Sequence, residues 1–219
     1  MDTTEKTQKY FLIGTIILGV LIIAGLIWAI SLGPGEGGGN IDPNILFNDQ
    51  GNPQAGNKDA KVTVRIYSDF QCPACKMAES ELKKVIEKYQ DRVNFYWNDF
   101  PLSSIHQNAA SAAVAGRCAQ EQNAFWQYAD LLYQSQEKWQ YLKTPTDFYA
   151  DLAEQLGLQK ENFSKCLTLE SAKQKVQNDY LEAVNMKLDS TPTFFINRKI
   201  KSGAMSLDQW SEILDQELQ

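Results

Sequence analysis

Two cysteines separated by two residues, in Cys72-Pro73-Ala74-Cys75, are the side chains of this sequence best suited to chemistry. A cysteine is a nucleophile or a metal ligand only as its thiolate, and a free thiol with a pKa of about 8.5 is only a few per cent ionised at neutral pH. Something must therefore lower the pKa of one sulfur. The residues on either side supply a candidate. Val62-Thr63-Val64-Arg65-Ile66-Tyr67 is dense in β-branched and aromatic residues and reads as a mostly buried strand. After the pair, Met77, Leu82, Val85, Ile86 and Tyr89 recur at approximately helical spacing among Glu and Lys, which predicts an amphipathic helix. Cys72 then sits where a strand gives way to a helix, with unpaired backbone N–H groups and the positive end of the helix dipole facing its sulfur. Pro73 falls in the first helical turn, where a missing N–H costs little.

The two-residue spacing puts Cys75 one turn behind Cys72, close enough to close a small disulfide ring. Two exchange directions are open to such a ring. When it is closed, a substrate thiolate attacks the exposed Cys72 sulfur, and a second substrate thiol resolves the mixed disulfide and leaves both cysteines reduced. When it is open, Cys72 is the nucleophile on a substrate disulfide and Cys75 is the resolving thiol. The alternatives are half of a zinc site or an inert pair. Zinc needs two further ligands, and the remaining candidates, Cys118, Cys166 and the single His106, form no second Cys-X-X-Cys. A strand-to-helix turn with an adjacent proline favours a redox pair over an inert one, and neither metal nor cofactor is expected.

The elements that must position the pair continue with Val93-Asn94-Phe95-Tyr96-Trp97, a second strand. Strand, helix, strand implies a βαβ unit with a parallel pair. From Ser103 to about Leu188 the pattern is helical, through the Ala-rich run Asn108 to Ala119 and Phe125-Trp126-Gln127-Tyr128, with breaks at Thr144-Pro145 and Gly157. Phe125, Trp126 and Tyr128 read as core, and His106 as the start of the Ala-rich helix with no catalytic role. Thr193-Phe194-Phe195-Ile196 returns to strand, turns at Asn197-Arg198-Lys199 and re-enters at Ile200-Lys201. A closing helix runs from Ser206, a natural N-cap, to Glu217. An α/β fold follows: a sheet begun in residues 60–102, interrupted by a helical block over 103–188 and completed in 189–219. No internal repeat is present.

The compartment is read from the N-terminus. Tyr10 to Leu32 contains no charged residue, and about 20 such residues cross a hydrocarbon core of roughly 30 Å. Lys6 and Lys9 precede the run, whereas the next basic residue is Lys58. The positive-inside rule then places residues 1–9 in the cytoplasm and everything past the anchor outside. Ala29 and Ser31 suggest a cleaved signal peptide instead, but the run is longer than the roughly 7–15 residues of a signal core. Either way the rest is exported, where disulfides form and persist. Residues 33–59, rich in Gly, Asn, Asp and Pro, read as a flexible tether, with folding beginning near Ala60. The 219 residues are 43% hydrophobic and 22% charged, an ordinary globular composition. A net charge of -6 without clustered Lys and Arg argues against nucleic acid as a partner.

The ordered set of motifs resembles the DsbA-like branch of thioredoxin-fold oxidoreductases, bacterial proteins that introduce or rearrange disulfides in exported proteins. The likeness spans about residues 55 to 217. It is carried by Gly56-Asn57-Lys58-Asp59-Ala60, Ser68-Asp69-Phe70-Gln71-Cys72-Pro73-Ala74-Cys75, Phe100-Pro101-Leu102, Phe125-Trp126 and Ser190-Thr191-Pro192-Thr193-Phe194-Phe195-Ile196-Asn197. It implies a thioredoxin-like fold with an inserted helical domain, here preceded by one N-terminal transmembrane helix. It implies a cis Thr191-Pro192 peptide facing the active cysteine, with Thr191, Pro192, Pro73 and Ala74 forming the substrate-binding surface. An extended peptide pairing with the Thr191 backbone would meet Cys72 there. The expected partners are reduced or misoxidised exported proteins, a membrane quinone-linked redox protein and the bilayer that holds the anchor. One position departs from the pattern: relatives often carry an acidic residue six positions before the first active cysteine, thought to exchange protons with the second, and this chain has Ile66.

Cys118 and Cys166, 48 residues apart in two helical segments, are expected to form a structural disulfide. The alternative is a second redox pair that passes electrons to Cys72. An oxidase is the leading expectation, because isomerases of this type are often dimers and no separate dimerisation domain is read in the sequence. A reductase or isomerase kept reduced by a membrane electron donor is the runner-up, and a non-catalytic chaperone or binding module is the third reading.

Overall fold

The computed structural model describes residues 13, 16–17, 19–25, 47–49 and 51–219. The chain divides into two units, residues 1–37 and 38–219. In the first, the described residues are helical. Among the described residues no helix is long and apolar enough to cross a membrane. The remainder of the predicted anchor over 10–32, and most of the tether after it, lie outside the described residues.

The second unit is built on a sheet of strands in the order β1-β3-β2-β4-β5, comprising β1 Gln54–Gly56, β2 Val62–Ser68, β3 Val93–Asp99, β4 Thr193–Ile196 and β5 Lys199–Ser202. β2 and β3 are parallel, from Val62 opposite Val93 to Ser68 opposite Asp99, and are joined through helix α1, Pro73–Tyr89. This is the βαβ unit that the pattern predicts. On the other side of β2, β4 runs antiparallel with Ile66 opposite Phe194 and Tyr67 opposite Thr193. β4 therefore begins beside the end of β2, and Thr191 and Pro192 arrive where the chain leaves the sheet for Cys72.

The sheet starts earlier than Ala60. β1 pairs antiparallel with β3, Ala55 opposite Phe95. Gly56 ends it at φ +82°, and a Cβ there would lie 2.3 Å from the Val93 carbonyl oxygen. Glycine is required at that close approach.

Alternation along the strands divides the core between two faces. Val62, Val64 and Ile66 of β2 join Phe95, Trp97 and Phe194 in the main core, which α1 covers with Cys75, Ala78, Leu82, Val85 and Tyr89. Tyr67 and Phe195 point to the other face and pack with Phe100 and Ala183. Met77, expected on the buried stripe of α1, is 66% exposed, and Ala78 takes its place. The 3.6-residue period decides this, since Ala78, Leu82, Val85 and Tyr89 follow one another at steps of three and four. Arg65 lies on the face opposite Ile66, where its guanidinium bonds Asp49 at 2.6 Å and covers the Phe47 ring at 4.0 Å.

Between β3 and β4 come six helices: α2 Ala109–Gln120, α3 Phe125–Gln134, α4 Gln136–Trp139, α5 Thr146–Gln155, α6 Lys160–Thr168 and α7 Glu170–Asn185. Pro145 caps α5, and Gly157, at φ +74°, follows its end. Arg117 of α2 reaches back from this layer to Asp99 at the end of β3, 2.5 Å away, and to Asp179 of α7. Phe125 and Tyr128 are buried in the core, and Trp126 is partly buried against it. The last helix, α8 Leu207–Glu217, opens with a full capping box between Ser206 and Gln209.

Candidate active site

The segment between β2 and α1 is held from several directions before it reaches Cys72. The Asp69 carboxylate, buried, accepts from Gln71 N at 2.7 Å and from Leu102 N at 2.9 Å, and its Oδ2 lies 2.7 Å from His106 Nδ1. Phe70 stacks on Trp97 with ring centroids 4.9 Å apart. The Gln71 side chain accepts from Asn108 N at 2.7 Å and donates to the Gln140 carbonyl at 2.9 Å. Gln136 Nε2 donates to the Phe70 carbonyl at 2.8 Å and the Cys72 carbonyl at 3.3 Å. The inserted helices thus clamp the loop that carries the first cysteine. His106 precedes α2 as expected, yet its ring is spent on this clamp. In the sequence Asp69 and Gln71 are part of a motif and Asn108 starts a helical run, but the clamping role of these residues and of Gln136 is visible only in the structure.

Cys72 is the N-cap of α1, with Pro73 at its first position. Cys72 and Cys75 are free thiols here. Cys72 was expected to be exposed, but only 7% of it is accessible, against 2% of Cys75. The clamp and the Thr191 segment cover all but a small face of it. Thr191-Pro192 is a cis peptide, and Cys72 Sγ lies 3.5 Å from the Thr191 carbonyl oxygen. Pro73 is exposed, Ala74 half-buried and Pro192 buried, so the surface beside Cys72 consists of the α1 end and the loop before β4.

The two sulfurs are electrostatically unlike. The Cys72 thiol is pulled down to about 5. The largest cause is the hydrogen bond from the Cys75 thiol, which outweighs the opposing effect of burial. The Thr191 hydroxyl and the N–H groups of Cys75 and Ala74 add to it. The helix terminus therefore contributes as the sequence suggests but ranks behind the neighbouring thiol. The Thr191 hydroxyl is otherwise buried without a hydrogen-bond partner. Cys75 moves the opposite way, pushed well up first by burial and then by the Cys72 sulfur. Near neutral pH the pair is one thiolate facing one thiol, an arrangement able to attack a disulfide through Cys72 while Cys75 keeps its proton. Cys118 and Cys166, the further ligands that a zinc site would need, are bonded to each other.

A family model described as Thioredoxin matches residues 48–216. The chain belongs to the thioredoxin family. The probable disulfide bond formation protein D of Bacillus anthracis is 26% identical to this chain over 220 residues, covering 98% of this chain and 99% of that protein. The Na(+)/H(+) antiporter NhaA 3 of Salinispora tropica is 31% identical over 177 residues, 81% of this chain but only 26% of the antiporter. This chain thus spans about a quarter of that protein's length. The crystal structure of oxidised BdbD from Bacillus subtilis superposes with a TM-score of 0.69 at 24% identity, covering 78% of this chain and 95% of that one. The last likeness supports the thioredoxin-like fold with its helical insertion.

Proposed function

We propose that the chain is a thiol-disulfide oxidoreductase that introduces disulfides into exported proteins, with Cys72 as nucleophile and Cys75 as the resolving thiol. The observation that carries this reading is the stabilised Cys72 thiolate, held at about 5 beside a buried Cys75. A stabilised thiolate favours the dithiol over the disulfide, so the disulfide form gives up its bond readily. The name of the Bacillus anthracis relative, a disulfide bond formation protein, points the same way.

In the oxidising direction a substrate thiolate attacks Cys72 Sγ, the Cys72–Cys75 bond breaks, and Cys75 leaves and takes up a proton. A second substrate thiolate then attacks the substrate sulfur of the mixed disulfide, and Cys72 departs as its stable thiolate. The substrate lies against Pro73 and Ala74, pairing with the backbone of Thr191 beside Pro192. The uncharged run over 10–32 anchors the protein with its catalytic unit outside the cell membrane, near a quinone-linked partner that restores the disulfide.

Equilibration with glutathione buffers tests the direction. A potential near about -120 mV is expected for the oxidase, and one near about -270 mV would assign the chain to reduction or isomerisation instead.

A further inference from the structure

Cys75 must lose a proton to attack Cys72 and must regain one to leave it, and the residues around its sulfur offer few places for that proton to go. Its surroundings form a small cavity of about 10 Å³, room for about one water molecule. Ile66 and Phe194 close the sheet side of that cavity, and neither can carry a proton. Tyr133 is held well above its ordinary pKa by burial, and its hydroxyl lies 2.9 Å from Ser68 Oγ. The one carboxyl in the lining is Glu79, one helical turn after Cys75 on α1.

Glu79 also lines a second, larger groove of about 270 Å³. Leu82, Trp97 and Tyr133 are common to both linings. Glu79 is half-buried at the boundary between Cys75 and solvent. The charged groups that face it are Asp130 of α3 and Lys83 of its own helix, which bond each other.

We propose that Glu79 is the proton-exchange group for Cys75, acting through one water in the small cavity and passing the proton to solvent through the larger groove. It stands on the helix wall, where the strand wall carries Ile66. In the resolving step the Cys75 S–H proton moves by way of the water to the Glu79 carboxylate. The Cys75–Cys72 bond forms as the Cys72–substrate bond breaks, and the substrate sulfur leaves with the electron pair. In the opposite direction Glu79 returns the proton to the departing Cys75 thiolate. Glu79 is suited to both because burial, then the hydrogen bond and charge of Asp130, raise its carboxyl to about 7, against the opposing charge of Lys83. A group titrating near the working pH both gives and accepts a proton.

The inference rests on thiol-disulfide exchange at Cys72 and Cys75, not on the direction proposed above. The test uses full-length reduced protein mixed rapidly with oxidised glutathione, with the Cys72–glutathione adduct trapped by acid and followed by mass spectrometry. In wild type the adduct resolves to Cys72–Cys75 with a rate that bends near pH 7. Glu79→Gln is expected to slow resolution by about 10- to 100-fold at pH 7 and to remove the bend, while iodoacetamide alkylation of Cys72 stays within about twofold.

Resolution in Glu79→Gln at the wild-type rate and profile overturns the proposal, as does an equal slowing of resolution and alkylation. A wild-type adduct that never resolves overturns the exchange reading itself, a different signature. Carbon-13 NMR of the Glu79 carboxyl in unmutated dithiol protein is the independent measurement. A midpoint near 7 is expected, and one near the ordinary 4.5 overturns the assignment.

Discussion

Cys72 and Cys75 carry opposite perturbations, and these give the dithiol form a pH-dependent stability that the disulfide form lacks. Cys72 has a folded-state pKa of about 5 against an ordinary 9.0. A depressed pKa contributes stability that is fully present above the unfolded value and is lost as pH falls through the folded one. Cys75 is raised above 9.0, so its contribution is constant below that pH and disappears only above it. Between pH 4 and 8 Cys72 is therefore the cysteine that sets the difference in slope between the two forms. Calorimetry of both redox forms should find the melting temperature of the dithiol, relative to the disulfide, rising from about pH 5 to 8 and flat below 5. A difference that does not vary with pH would mean that Cys72 is not ionised in the folded protein. Both cysteines were legible because redox pairing follows from residue type and short spacing, whereas the cis Pro192 was legible only through the resemblance to known oxidoreductases. That the Cys75 thiol leads the stabilisation, and that the Thr191 hydroxyl joins it, was not. Thr191 is 119 positions from Cys72, and no local pattern encodes which way its hydroxyl points.

At the scale of elements, the loop from Asp69 to Gln71 positions the nucleophile, and Asp69 is its main anchor. Its carboxylate takes two backbone N–H groups and the His106 ring. Asp69→Ala would leave Gln71 N and Leu102 N without that acceptor, at a cost of roughly 2–4 kcal/mol. Urea unfolding measures the loss, and hydrogen exchange at Gln71 and Leu102 should accelerate more than in the strands. A variant with unchanged stability would mean that the clamp is held by Gln71 and Gln136 instead. The strands β2, β3 and β4, helix α1 and the cap of α8 were all readable, because alternation, helical spacing and a Ser206–Gln209 box are local signals. β1 was not. Gln54–Gly56 is three residues long with no β-branched side chain, and it becomes a strand only because β3 offers it an edge.

At the scale of the whole molecule, the helical insertion is fastened to itself and to the sheet by different means. Arg117 ties α2 to Asp99 of β3, a long-range ion pair that the Ala-rich helical pattern around it did not foreshadow. The Cys118–Cys166 bond joins α2 to α6 across 48 residues. Both sulfur-bearing residues are buried, so an external thiol has little access to them, and a stabilising role follows more naturally than electron transfer. In the chain-entropy account a loop of this length adds about 4 kcal/mol by restricting the unfolded chain. The double variant Cys118→Ala, Cys166→Ala should lose that much in chemical denaturation. It should leave the Cys72 titration near 5, because neither residue contributes to that shift. The same variant separates the two roles. Lower stability with unchanged exchange against glutathione supports a purely structural bond, whereas normal unfolding with lost exchange would place Cys118 and Cys166 on the electron path to Cys72.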